Sequence, residues 1–116
     1  MIVVIDVDET VTAAPVFFSW LSRALRRDGH RVIILTVRRD REDTARLLVR
    51  LGVAWDELVT PPPEADRALE WKISRARELA PDVLIDDCVD LVNALDVTTF
   101  ALVPRDAEQG RLDYVD

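Results

Sequence analysis

Runs of apolar, mostly β-branched residues alternate along this chain with stretches whose apolar positions recur every three or four residues. The runs are Ile2 to Val7, Val32 to Val37, a short one at Glu57 to Thr60, Val83 to Ile85, and Thr98 to Val103. They are nearly continuous in polarity rather than alternating. Strands of that kind are covered on both faces, as in a parallel sheet. The periodic stretches predict helices. Val16 or Phe17, Trp20, Leu21, Ala24 and Leu25 form one stripe from about Ala14 to Arg27. Asp28-Gly29 stops it and turns the chain. Asp40 is placed to cap a second helix carrying Ala45, Leu48 and Val49, which Gly52 ends. Leu69, Ile73, Ala76 and Leu79 give a third, stopped by Pro81. Asp90 to Leu95 is a short fourth. Strand and helix in regular alternation predict an α/β, three-layer Rossmann-like domain. Its five-stranded sheet is expected to be mostly parallel, with helices on both faces. The 116 residues suit a single domain spanning 1–116.

In an open parallel sheet, ligands bind beyond the carboxyl ends of the strands. The polar residues that interrupt the apolar runs stand there. Asp6 and Asp8 follow the first run, Thr36 falls within the second, and Asp86 and Asp87 close the fourth. Several carboxylates gathered at one edge repel one another and call for a cation. Hard oxygen ligands suit Mg²⁺, which also binds substrate phosphate. A carboxylate is itself a nucleophile toward phosphoryl groups. A second acid beside it can protonate the leaving oxygen and later take a proton from water. Thr36 could donate to phosphate oxygens, and Lys72 could place a positive charge beside the nucleophile.

Asp6-Val7-Asp8-Glu9-Thr10 after an apolar strand resembles the first motif of the haloacid dehalogenase superfamily. Thr36, after Val32-Ile33-Ile34-Leu35, resembles the second motif. Lys72 resembles the third, and Leu84-Ile85-Asp86-Asp87 the fourth, all in the family's order. The resemblance implies Asp6 as nucleophile and Asp8 as general acid and base, the latter also binding Mg²⁺ through its main-chain carbonyl. It implies that Thr10 steadies the loop, Thr36 binds the phosphoryl group and Lys72 holds Asp6 and the phosphate. Asp87 becomes the main metal ligand of the fourth motif, with Asp86 either assisting or pairing with Lys72. Superfamily members often carry Arg two residues after the Thr, which makes Arg38 a candidate substrate-phosphate contact. An acid at Asp8 points to phosphatases, since dehalogenase members lack it and ion-pumping ATPases carry Thr there. Glu9 stands where many members have Gly. The intervals between motifs leave no room for the usual cap domain. The site is therefore expected to be open, serving large substrates or borrowing a lid from a second copy in a homo-oligomer. The expected function is a Mg²⁺-dependent phosphomonoester hydrolase acting through an aspartyl-phosphate. A receiver-like signalling domain is the rival, but its acid pair, acceptor Asp and Lys come in a different order. A catalytically idle scaffold of the same fold is the other.

Charge and composition narrow the partners. The chain is 49% hydrophobic with a net charge of −7, which gives no general attraction to nucleic acid or anionic membrane. A phosphorylated substrate of unidentified class is the expected partner, with nucleic acid disfavoured and no membrane. The start of the chain has no signal-peptide pattern, and Cys88 is a single cysteine that cannot pair internally. Both point to a cytoplasmic location. His30 reads as a turn residue, Cys88 as packing, and Asp90 as a helix-start acid. Trp20, Trp55 and Trp71 read as core or interface residues. The arginines near Arg38, Arg39 and Arg41, read as solvated or paired with Asp40, Glu42 and Asp43.

Overall fold

A computed structural model describes residues 1–102. Val103, the end of the fifth apolar run, lies outside the described residues. The elements are β1 (Ile2–Ile5), a tight turn (Val7–Val11), α1 (Pro15–Arg27), β2 (Arg31–Leu35), α2 (Arg41–Arg50) and β3 (Glu57–Val59). They continue with α3 (Ala68–Leu79), β4 (Val83–Asp86), α4 (Val89–Ala94) and β5 (Thr98–Ala101). The five strands form one sheet in the order β3-β2-β1-β4-β5, and every pairing is parallel. This is the expected three-layer α/β architecture. Alternate residues of β1 serve opposite faces, because side chains of a strand point to alternate sides. Val3 and Ile5 pack with Phe18 of α1 and Leu48 of α2. Val4 packs with Ala76 of α3 and Leu91 of α4. A strand with apolar neighbours above and below must be apolar throughout, which is why its run is unbroken.

The helices exist where the periodicity puts them, and Leu21 and Leu25 of α1 and Ala45 and Leu48 of α2 pack inward as expected, but other positions of the two stripes do not. In α1 Phe18 and Ser22 are buried, while Val16, Phe17 and Trp20 stand out in solvent. The buried serine accounts for the part of the stripe that faces outward. Ser22 Oγ donates to Ser19 O (3.2 Å) and accepts from the Ala54 N–H (3.0 Å), so a polar residue fills a core position. In α2 Leu48 is buried, but Val49 is 68% exposed. Thr44 takes an inward place, its hydroxyl satisfied by Asp40 O at 2.8 Å. Trp55 and Trp71 do pack against the two cores, whereas Trp20 does not.

Register then sets up the rim. β1 and β4 are neighbours with Ile5 opposite Ile85, and the Asp6 N–H donates to Ile85 O at 3.0 Å. Asp6 and Asp86 therefore leave adjacent strands side by side. β2 ends at Leu35, short of the expected Val37, although the Thr36 N–H still reaches Val59 O at 3.2 Å. Only the turn and α1 lie between β1 and β2, and only α2 between β2 and β3. Among the described residues no helix is long and apolar enough to cross a membrane.

Candidate functional site

Asp6 is extended (φ −80°, ψ 164°), but the chain then doubles back through Glu9, whose φ of 61° lies in the left-handed region. Glycine adopts that conformation freely and other residues do so at a cost. Here the Glu9 N–H donates to Thr12 Oγ1 (3.0 Å) and the Thr12 N–H to Val7 O (3.1 Å), which hold the turn. The reversal brings Thr10 beneath the strand end. Its buried hydroxyl donates to Asp6 Oδ2 at 3.2 Å and lies 3.5 Å from Asp87 Oδ1.

Lys72 reaches the same point from α3. The position falls on the inward face of that helix, so the ammonium is carried into the rim rather than into solvent. Its Nζ stands 2.6 Å from Asp6 Oδ1 and 2.8 Å from Asp86 Oδ2, and all three side chains are buried. Asp86 Oδ1 accepts the Cys88 N–H at 2.8 Å. Among the described residues, Asp86 Oδ2 has the ion pair and no well-directed hydrogen bond. Oxygens of Asp6, Asp86 and Asp87 lie within 4.8 Å of one another, and these three residues could hold a metal ion. Three carboxylates face one ammonium, so the cluster carries an excess of negative charge that a divalent cation would balance.

The titration of these groups follows from their burial and then from their charged neighbours. Burial pushes the Asp6 carboxyl from 3.8 up to about 7, with Asp86 adding to the rise and Lys72 opposing it. Burial alone would lower Lys72. The carboxylates of Asp6 and Asp86 outweigh it, and the amine is held above its usual value.

These groups form the floor of an open cleft of about 380 Å³, with Asp8 and Glu9 on one wall and Val37 and Leu69 on its rim. Asp8 lines the cleft but stays outside the carboxylate cluster. It is half exposed, and its Oδ1 accepts from Arg38 Nη1 at 3.1 Å. Thr36 is fully buried and does not line the cleft. Its Oγ1 accepts the Arg38 N–H at 3.1 Å. Arg38 likewise does not line it. The guanidinium is turned to Asp8, to Asp43 and to Thr44 Oγ1. Asp43 and Thr44 were not singled out from the sequence as part of the site. They sit in the first turns of α2, and only the fold turns that end toward the rim. Arg39 and Arg41 reach main-chain carbonyls of Pro62, Ala65 and Leu58 instead of nearby acids.

Asp90 is exposed in the first turn of α4, as a helix-start acid would be. His30 Nδ1 lies 2.8 Å from the terminal amine of Met1. Cys88 is free, half-buried and packed against the α3–α4 core. A second cleft of about 340 Å³ lies between α1 and β5. Its lining, including Phe17, Leu21 and Phe100, is apolar and offers no chemistry.

No family model matches the chain, and no curated protein matches it. Solved structures that resemble it include chains of two RNA repair complexes. A chain of the Pnkp1/Rnl/Hen1 RNA repair complex superposes with a TM-score of 0.70 over 85% of this chain, at 20% identity. A chain from a second structure of a Pnkp1/Rnl/Hen1 complex gives 0.71 over 90%, at 19% identity. This chain spans 41% and 46% of those chains. The likeness establishes a shared fold.

Proposed function

We propose that this chain is a magnesium-dependent phosphomonoester hydrolase that works through a phosphorylated Asp6, as the resemblance to the haloacid dehalogenase superfamily implies. One observation carries the reading. A buried carboxylate at a strand end lies 2.6 Å from a buried ammonium and within 4.8 Å of two further carboxylates. A structural ion pair needs one acid for one base, and this arrangement gathers three.

In the first step an Asp6 oxygen bonds to phosphorus while the bond to the leaving oxygen breaks. Asp8, on the cleft wall, gives that oxygen a proton. In the second step water attacks the phosphorus and returns a proton to Asp8, releasing phosphate and Asp6. Lys72 keeps Asp6 oriented throughout and offsets the charge of the phosphoryl group. Thr10 fixes the other Asp6 oxygen. Thr36 acts by holding the start of the β2–α2 loop. The all-oxygen donor set fits Mg²⁺, which Asp6 and Asp87 would hold with Asp86 beside them and the Asp8 carbonyl in support. When bound it would neutralise charge on the transferring group.

The cleft is open, which suits a phosphate presented on a bulky substrate, or a lid contributed by a second copy. The RNA repair complexes make polynucleotide phosphate ends worth including in a substrate panel. The net charge of −7 and the acids at the cleft mouth weigh against them. The deciding assay is Mg²⁺-dependent release of nitrophenol from 4-nitrophenyl phosphate. Asp6→Asn is expected to reduce turnover to background, and EDTA to do the same for the parent protein. Unchanged turnover in Asp6→Asn would reject the nucleophile.

A further inference from the structure

We infer that Arg38 is a positioning residue that aims Asp8 at the leaving group, and not a ligand of the substrate phosphate; the inference rests on the phosphatase reading. Each of the three guanidinium nitrogens has a protein partner, and none of the partners belongs to the carboxylate cluster. Nε donates to Thr44 Oγ1 at 3.0 Å, Nη2 to Asp43 Oδ2 at 2.8 Å, and Nη1 to Asp8 Oδ1 at 3.1 Å. The first two partners belong to α2 and are themselves fixed. Thr44 is buried and donates its own proton to Asp40 O at 2.8 Å, which leaves its oxygen to accept from Nε. The Asp43 N–H is bound to Asp40 Oδ1 at 3.0 Å, within the helix cap. The Arg38 main chain is held too, by Thr36 Oγ1. The start of α2 thus holds the planar fork by Nε and Nη2 and directs Nη1 to one oxygen of Asp8, with two of the five guanidinium N–H groups left over.

Asp8 sits in a turn with non-helical backbone on both it and Glu9, half exposed on the cleft wall. Without a tether its carboxyl would be free to rotate. Occupying Oδ1 fixes the plane of the group and leaves Oδ2 for the cleft. As the bond from phosphorus to the leaving oxygen breaks, that oxygen takes the proton from Oδ2. The negative charge left on Asp8 then lies against the guanidinium. Orientation of the donor is what such a step depends on.

The two roles separate by leaving group. A phosphate ligand acts alike on every phosphomonoester and is felt in KM. A residue that positions the acid matters only where the leaving oxygen needs a proton. Phenyl phosphate and 4-nitrophenyl phosphate have nearly the same shape, but nitrophenolate leaves without protonation and phenolate does not. Arg38→Ala is expected to lower kcat on phenyl phosphate at least ~10-fold more than on 4-nitrophenyl phosphate, with KM little changed. Asp43→Asn, which keeps Arg38 but loosens it, should show a smaller bias of the same sign. Arg38→Lys should restore part of the loss. Thermal melts identify any variant that fails to fold, and Asp43→Asn carries the test if Arg38→Ala does. Equal losses on the two substrates, or a rise in KM alone, would overturn the inference while leaving the phosphatase reading intact. Turnover that survives Asp6→Asn, or a parent protein inactive on both substrates, would overturn that reading and this inference with it.

Discussion

Asp6 is buried against Asp86 and Lys72, and the cost of its charge makes stability depend on pH in a defined direction. Its carboxyl titrates near 7 in the folded chain against 3.8 when exposed. Between those values the folded state keeps a proton that the unfolded state has lost. Stability is therefore fully present below about pH 4 and falls as pH rises through 7. A shift of that size is worth on the order of 4 kcal/mol. Asn at this position has the same shape and no charge. In EDTA, urea melts at pH 5 and pH 8 should show the parent protein losing stability with rising pH and Asp6→Asn losing less. At pH 8 the variant should be the more stable protein. A less stable Asp6→Asn at pH 8 would mean that the Lys72 pair outweighs burial. Legibility at this scale divides the same way. Asp6, Asp86 and Asp87 could be grouped from sequence because each interrupts an apolar run at a strand end. The turning of Asp8 toward Arg38 depends on partners at the start of α2, and Thr36 is held by the Arg38 N–H and by Val59 of the neighbouring strand, which no local pattern specifies.

At the scale of elements, every helix and strand was readable from periodicity, but the inward faces of α1 and α2 were readable only in part: Leu21, Leu25, Ala45 and Leu48 pack inward as expected, and Val16, Phe17, Trp20 and Val49 do not. Apolar spacing at Val16, Phe17, Trp20 and Leu21 describes a stripe. It does not say where that stripe points when a buried serine or threonine can satisfy its hydroxyl on the main chain. Phe18 and Phe17 are adjacent in sequence and test the observed phase directly. Phe18 is 0% exposed within the α1–β1 core and Phe17 is 50% exposed. Phe18→Ala should destabilise the protein by about 3–5 kcal/mol through the cavity it leaves. Phe17→Ala should cost less than about 1 kcal/mol, the range of a surface change. Denaturant midpoints at constant slope decide between them. A stripe that starts at Phe17, one of the two starts the spacing allows, predicts the reverse order. The same elements determine what the site can do. α3 delivers Lys72 because its buried face includes that position, and α2 holds Arg38 because its cap is built on Asp40.

For the molecule as a whole, the question is whether the carboxylate rim is a metal centre or a tolerated electrostatic fault. The chain carries a net charge of −7, and its acidic cluster opens into the cleft beside Asp8 and Glu9. Diffuse attraction would let any cation raise stability a little, with no single acid decisive and with loss of the effect in salt. A built site behaves differently. Ligand bound only to the folded state stabilises it by about 2.7 kcal/mol at a hundred times the dissociation constant. In a domain of this size that is a rise in Tm of roughly 10 °C. Mg²⁺ in 0.15 M salt should therefore raise the Tm of the parent protein by several degrees or more. Asp87→Asn should remove the rise, because Asp87 supplies one of the three clustered oxygens. Asp8→Asn should keep it, since that side chain faces Arg38 and a main-chain carbonyl survives the substitution. Loss of the rise in both variants alike would point to general charge rather than to a coordination set. No rise in the parent protein would mark the three carboxylates as a tolerated electrostatic fault and not a metal centre.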